Sequence, residues 1–414
     1  MFEISTLAKT NSAQAEREIL VFVQNNFPDL KATSVVINES KVSLNSVNGN
    51  IETSSGTKYF FKFHAEEGET STLRSGEYYN TKVLYDAGLP VVMPLFEKTQ
   101  PGSQFLIYEY LELPTAFDLY EKQDDRYEAA GSYDSVELEK LFRGEEEFLS
   151  TVRDIYLKTL QMTPATKLNN LPLNQLFYNR LTRRVKEESC RLELFYGNAR
   201  FDDLKNAQWI INGIRYDQTL AQIIADAQKM LGPTTGEVAT VIGHGDDHNG
   251  NKFYDVAQKK FLAFDAAFAG RQPALLSFIK AMAHNTVLHP YWLYDPAQLS
   301  SKLDLKMERK GNEISITHNW ETKDRSPMRL QMLAMQKEIV WKPLIGELRK
   351  RGALSKDWQE YIRKALFCCP FLVLNLIDPT KRTPEQSLLA LAKSVELGSL
   401  GDKANDIDEF LRGL

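Results

Sequence analysis

Two textures of hydrophobic and polar positions divide the chain. Between residues 31 and about 112 the apolar residues come in short runs, SVVI, KVSL and KYFFKF, separated by NGN and SSGT; VVMPL and FLIYEYL follow after a helical stretch. Short β-branched and aromatic runs bounded by Gly, Asn and Ser predict strands. An antiparallel sheet with one main helix is therefore expected here. From about 135 onward apolar residues recur at three-and-four spacing, in EFLSTVRDIYLKTLQ, LAQIIADAQKML, LLSFIKAMAHNTVL, RLQMLAMQKEIVWKPLIGELRK and DWQEYIRKALF. That period predicts amphipathic helices. Shorter β-like pieces interrupt them at 238 to 242, 260 to 265 and around 313 to 317, and KMERKGNEISITHNW predicts a hairpin turning at Gly311 and Asn312. The change of texture falls in LELPTAFDLYEKQDDRYEAAGSYD, where Pro114 and Gly131 flank an acid-rich connection. The expected organisation is α+β in two lobes: 1–112, with an N-terminal helix, and 113–414.

Composition narrows this little. At 414 residues, 43% hydrophobic and 25% charged, the chain can bury a core large enough for two domains. A formal charge of −5 with acids and bases interspersed gives no electrostatic support to a nucleic-acid partner; Arg180, Arg183, Arg184 and Lys186 read as a solvated helix face. The start, MFEISTLAKTNSAQAEREILVFVQNNF, has early acids and no long apolar core, so no signal peptide is expected. The longest apolar run, ALFCCPFLVLNLI, is too short to span a bilayer. A soluble, cytoplasmic protein without a membrane partner is expected. Three cysteines, Cys190, Cys368 and Cys369, all in apolar sequence, read as buried free thiols.

The densest chemistry lies in VIGHGDDHNGNKFY, residues 241 to 254. It can be a polar turn between strands. It can be a metallohydrolase site, with His244, Asp246 and His248 at alternate positions offering nitrogen and oxygen ligands. Its third reading pairs Asp246 with Asn251. A carboxylate followed five residues later by an amide is the spacing of a phosphotransferase loop, in which Asp accepts or orients the hydroxyl proton and Asn holds magnesium.

The third reading makes demands elsewhere, and residues of the right kind are present. KKFLAFDAAFAG is an apolar strand ending in Asp265, a second metal-binding acid. TKYFFKFH alternates as a strand and carries Lys62, with Lys58 as a rival, to neutralise nucleotide phosphates. SGEYYNTKVLYDAGLP reads as a helix with Glu77 in its early turns, available to hold that lysine. FLIYEYLE then runs into the connection between lobes, where backbone groups at Glu109 and Leu111 are placed to meet an adenine ring. No GxxxxGK[ST] loop is present.

With these residues in order, the chain resembles the aminoglycoside phosphotransferase and choline kinase-like family over roughly residues 30 to 280. HGDDHNGN is similar to that family's HGDxHxxN catalytic loop, and FLAFDAAFAG to its metal-binding strand and turn. The resemblance implies a bilobal protein-kinase-like fold and transfer of the γ-phosphate of ATP or GTP to the hydroxyl of a small molecule, with Mg2+. It implies Asp246 as catalytic base, Asn251 and Asp265 as magnesium ligands, Lys62 on the α and β phosphates and Glu77 positioning it. His244 would brace the loop, and His248 would stand where a protein kinase has lysine.

The chain departs from the family pattern at Asn249, where Pro is frequent, and at Asp247, where an apolar residue is frequent and a solvent-facing side chain is expected. No GxGxxG precedes Lys62, so the phosphate loop is sought in NESKVSLNSVNGN at Asn45, Ser46 and Gly49, although NGN is equally a hairpin turn. Gly245 in place of the arginine of HRD, and the lack of DFG and APE, speak against protein acceptors. Tyr291, Trp292 and Tyr294 offer an acceptor wall or core packing. A nucleotide-binding pseudokinase scaffold and the metal-dependent hydrolase remain as alternatives.

Overall fold

The computed structural model describes residues 4, 7–8, 10–38, 46–65, 76–100, 103–182 and 190–414. The chain forms two compact units, one of Met1–Asp86, Pro90–Leu113 and Leu262–Ala267, the other of Ala87–Leu89, Pro114–Phe261 and Phe268–Leu414. The piece Leu262–Ala267, which carries Asp265, belongs to the first unit. A single linear cut between 112 and 113 does not contain that assignment.

The first unit has helix α1 (Ser12–Asn26), strands β1 (Ala32–Ile37), β2 (Ser46–Thr53) and β3 (Lys58–Ala65), helix α2 (Glu77–Ala87), and strands β4 (Phe96–Gln100) and β5 (Ser103–Glu109). They make an antiparallel sheet of order β1-β2-β3-β5-β4. The alternation of KYFFKF does what period two requires: Phe61 and Phe63 enter the core with Ile51, Phe105, Ile107 and the α1 residues Ile19 and Val23. Each buried Phe contributes roughly 1.5–3 kcal/mol. Lys62, between two inward rings, is left on the other face of β3, a strand paired on both sides.

Two expectations change here. NGN is not a turn: Asn48, Gly49 and Asn50 lie inside β2, and a Cβ at Gly49 would stand 2.1 Å from the Val36 carbonyl oxygen. Glycine is needed there by the close approach of β1. The β2–β3 turn is SSGT, with Gly56 at φ +80°. VVMPL forms no strand of the sheet; Val91 makes a parallel bridge to Ala263 instead. KVSL falls outside the described residues.

The second unit begins with helices α3 (Ala116–Ala130) and α4 (Ser135–Thr159) and strands β6 (Gln161–Pro164), β7 (Gln208–Ile211) and β8 (Ile214–Arg215). Helix α5 (Leu220–Met230) precedes β9 (Glu237–Gly243), β10 (Lys252–Asp255), β11 (Lys260–Ala263) and β12 (Gly270–Pro273). Helix α6 (Ile279–Met282) runs into a π-helical turn, Ala283–Val287, and is followed by β13 (Leu305–Lys310), β14 (Glu313–His318), α7 (Pro327–Gln336), α8 (Trp358–Val373) and α9 (Pro384–Gly398).

Strand β9, which delivers the motif, is the centre of the sheet β12-β9-β6. The expected hairpin is present, with Lys310 opposite Glu313. It is not a detached insertion: β14 pairs in parallel with β7, giving the sheet β13-β14-β7-β8 over the fully buried Trp209. Sequence reading passed over β7 and β8, yet Asn212-Gly213 between their apolar runs, at φ +49° and +78°, is a strong hairpin signal. The three cysteines are free and buried. Among the described residues no helix is long and apolar enough to cross a membrane.

Candidate active site

In the first unit the Lys62 ammonium lies 2.6 Å from Glu77 Oε2 and 2.7 Å from Asp265 Oδ1. Tyr108 donates its hydroxyl to Glu77 Oε1 at 3.0 Å. Glu77 occupies the first turn of α2, where the helix dipole favours an acid. Gln104 accepts from the Tyr78 N–H, and it packs so tightly over Gly76 that a Cβ there would collide with its amide. Burial alone would pull the Lys62 pKa down; Glu77 and Asp265 outweigh it and hold the ammonium above its ordinary value. Asp265 sits at φ +56°, a left-handed conformation Asp tolerates better than most residues. Its segment is tied down by Ala263 N–H to Pro90 O, Val92 N–H to Ala263 O and Asn80 Nδ2 to Ala267 O. The rival Lys58 is exposed and pairs with Glu52 at 3.7 Å.

Of the other nucleotide candidates, Ser46 and Gly49 lie in β2, Glu109 ends β5 and Leu111 follows it outside any regular element. Asn45 lies outside the described residues.

In the second unit, β9 ends at Gly243 and the motif turns at Gly245, φ +80°. A Cβ on Gly245 would be 2.8 Å from Gln272 Oε1 and 3.0 Å from the Phe268 carbonyl, so glycine is required by angle and by space. The loop closes on itself: the His248 N–H and Asn251 Nδ2 both donate to the Asp246 carbonyl at 2.9 Å, and His248 Nδ1 accepts from the Gly250 N–H. The Asn251 amide nitrogen is thereby committed to the loop's own backbone. His244 is buried.

Asp246 faces cations. Lys280 Nζ is 3.7 Å and His248 Nε2 4.0 Å from its Oδ1. Burial would raise this carboxyl, but Lys280, His248, His244 and Arg180 together hold it below the usual range. Lys280 donates to His284 Nε2 at 2.9 Å, and His284 Nδ1 meets the Tyr294 hydroxyl at 2.5 Å. Sequence reading missed Lys280 and His284, though both stand on one helix face at i and i+4 in LLSFIKAMAHNTVL. Of the basic cluster expected on a solvated helix face, Arg180 is half-buried, and burial, with Arg191 beside it, brings its guanidinium down to about 10; Arg183, Arg184 and Lys186 lie outside the described residues.

Asp247 is also corrected. It is buried rather than solvent-facing, above the ion pair of Lys252 with Glu145 at 3.1 Å, itself 1% exposed on both sides. Burial pushes the Asp247 carboxyl up to about 6, against the pull of Lys252 and His244. An unfolded Asp titrates near 3.9. Folding therefore binds the proton more tightly; stability falls as pH rises from about 4 to about 6, and the full penalty, on the order of 3 kcal/mol, persists above that. Asp247→Asn is expected to melt higher than the wild type at pH 7.5, with the gap closing toward pH 4. A gap independent of pH in paired melting curves would contradict this.

Asn285, on the element packed behind it, holds the loop from outside. Asn285 Oδ1 accepts from the Asn249 N–H at 2.7 Å, and its amide nitrogen donates to the Asp247 carbonyl at 3.4 Å. The Asn285 carbonyl accepts from Arg329 Nη1 at 2.9 Å, while Arg329 Nε and Nη2 grip Asp124 at 2.9 and 2.6 Å. Tyr291 and Trp292 are core residues, 1% exposed; Tyr294 remains accessible and lines a cavity of about 880 Å3 with Arg200, Asp295, Lys381 and Arg382.

Among the described residues, the acid, His and Cys side chains close enough to share one ion are His318, Glu321 and Glu396; His244, Asp246 and His248 form no such group. Lys393 already pairs with Glu396 at 2.9 Å, and His318 Nδ1 accepts from the Trp320 N–H. That cluster is an ion-pair network.

No family model matches the chain, and no curated protein matches it. The chain is similar to solved structures of an amicoumacin kinase in complex with AMP-PNP and Ca2+ (13% identity, 92% of this chain and 93% of that one, TM-score 0.48). It is also similar to an aminoglycoside-3'-phosphotransferase of type VIII (13%, 86% and 98%, TM-score 0.43). A third is the Plasmodium vivax ethanolamine kinase (10%, 99% and 91%, TM-score 0.40). At these identities and TM-scores the likeness assigns no substrate and no residue role to this chain.

Proposed function

We propose that the protein is a phosphotransferase of protein-kinase-like fold that moves the γ-phosphate of ATP or GTP to a hydroxyl of a small molecule. The observation that supports this reading most is the Lys62 ammonium held between Glu77 and Asp265. A mostly buried lysine clamped by two carboxylates from distant parts of the chain is oriented, and it has charge to give to phosphate oxygens.

In this reading Asp246 accepts the proton of the acceptor hydroxyl. Held below the usual carboxyl range, it is ionised at neutral pH. Its task is chiefly to orient the attacking oxygen, since phosphoryl transfer needs little covalent help beyond alignment and charge neutralisation. Magnesium takes hard oxygen ligands, and the accessible carboxylate of Asp265 in the first unit and the side-chain oxygen of Asn251 in the second are each of that kind. Such an ion would screen phosphate charge. His244 and His248 fix the loop. The acceptor is expected on the Tyr294 side of the second unit, where the cavity lies.

Thermal melting with and without millimolar magnesium-ATP and magnesium-GTP tests this. A ligand bound only to the folded state at about a hundred times its Kd adds about 2.7 kcal/mol. The wild type is expected to shift upward with magnesium, and Asp265→Ala to lose the shift. A folded wild type that moves with neither nucleotide would sink the proposal.

A further inference from the structure

Among the described residues four lysines are nine-tenths or more buried: Lys252, Lys280, Lys364 and Lys393. Burying an ammonium is costly unless its donors are satisfied. Lys252 reaches both oxygens of Glu145, at 3.1 and 3.2 Å. Lys364 donates to Gln218 Oε1 at 2.6 Å and the Gly398 carbonyl at 2.7 Å, and pairs with Glu360 at 2.5 Å. Lys393 is shared by Glu396 and Glu321. Lys280 is the exception. Its direct hydrogen bond within the described residues is to His284 Nε2, and the carboxylate it faces, Asp246 Oδ1, stays 3.7 Å away. That oxygen is itself buried without a direct hydrogen-bond partner.

The two groups thus face each other 3.7 Å apart without a direct hydrogen bond between them. An oxygen about 2.8 Å from each, an ordinary hydrogen-bond length, fits across a 3.7 Å separation. An acceptor hydroxyl suits both sides, because it donates its proton to a carboxylate and accepts from an ammonium. We infer that Lys280 is a catalytic residue of the proposed transfer, its ammonium donating to the same acceptor oxygen whose proton Asp246 takes; this rests on the phosphotransferase reading. In the step, the O–H proton passes to Asp246 and the acceptor oxygen forms its bond to the γ-phosphorus. The bridging P–O bond breaks, and its electron pair leaves with the nucleoside diphosphate. Lys280 keeps its proton throughout and opposes the negative charge growing on the oxygen.

His284 is the part that aims the ammonium. Burial and the adjacent Lys280 hold its pKa well below the ordinary histidine value, so the imidazole is neutral. With Nε2 accepting from Lys280, the proton sits on Nδ1 toward the Tyr294 hydroxyl. The π-helical turn at Ala283–Val287 carries His284 and Asn285 together, so one local distortion sets both the cation and the loop brace.

The test uses the full chain and magnesium-ATP, with water as the acceptor, following phosphate release. Lys280→Met is expected to lower kcat about a hundredfold, the cost of losing one transition-state donor, with KM for magnesium-ATP and its melting shift within about threefold of wild type. Lys280→Arg is expected to recover part of the loss, and Lys280→Gln replaces the methionine variant should that not fold. A Lys280→Met protein with kcat within about threefold of wild type, or one whose nucleotide binding falls as far as its kcat, makes Lys280 a structural charge and overturns the inference alone. A wild type that neither binds nor turns over magnesium-ATP removes the phosphotransferase reading, and this inference with it.

Discussion

Asp246→Asn is expected to lower kcat about a thousandfold while leaving KM for the nucleotide nearly unchanged. General-base and orienting contributions of one side chain fall around this size. The amide keeps the shape of the carboxylate, so the loop bonds to the Asp246 carbonyl survive. What the substitution removes is the proton acceptor of the proposed transfer, together with the charge that Lys280, His248, His244 and Arg180 stabilise. Single-turnover phosphate release separates this from a binding defect. A variant within about tenfold of wild type would remove Asp246 from the chemistry.

The second large effect lies behind the loop. Arg329→Met is expected to cost about 3–5 kcal/mol of stability, because Asp124, fully buried, is left without its counter-ion. Activity is expected to fall with it, since the Asn285 carbonyl loses its donor while the Asn285 side chain still has to hold the Asn249 N–H. Replacing both partners, Arg329→Met with Asp124→Leu, is expected to recover much of the stability, as no unpaired buried charge remains. Recovery of melting temperature without recovery of kcat would show that the pair positions the loop as well as holding the fold. A single variant that melts within a degree or two of wild type would contradict the assignment.

Much of the architecture is legible in one dimension because it follows from periodicity. Period two in KYFFKF placed Phe61 and Phe63 inward and Lys62 outward, and three-and-four spacing marked α4, α5 and α8. Residue types with distinctive chemistry at fixed spacing made Asp246 and Asn251 stand out, and Asp265 after its apolar run. Such local signals need no knowledge of neighbours.

Tertiary structure alone decided the rest, wherever a property depends on what lies opposite. Lys58 and Lys62 have the same chemistry in the same strand; that Lys62 meets Glu77 and Asp265 while Lys58 meets Glu52 depends on elements far apart in the chain. Gly49 reads as a turn until the Val36 carbonyl is seen above it. Asp247 reads as solvated until the fold buries it within the electrostatic reach of Lys252 and Glu145. Lys280 carries no motif, and its interest comes from what it lacks: a buried ammonium 3.7 Å from an unpartnered carboxylate oxygen. Sequence determines which groups are available and how they alternate; burial, and the charges that burial brings together, is set by long-range packing and makes the same side chain a surface ion or a poised one.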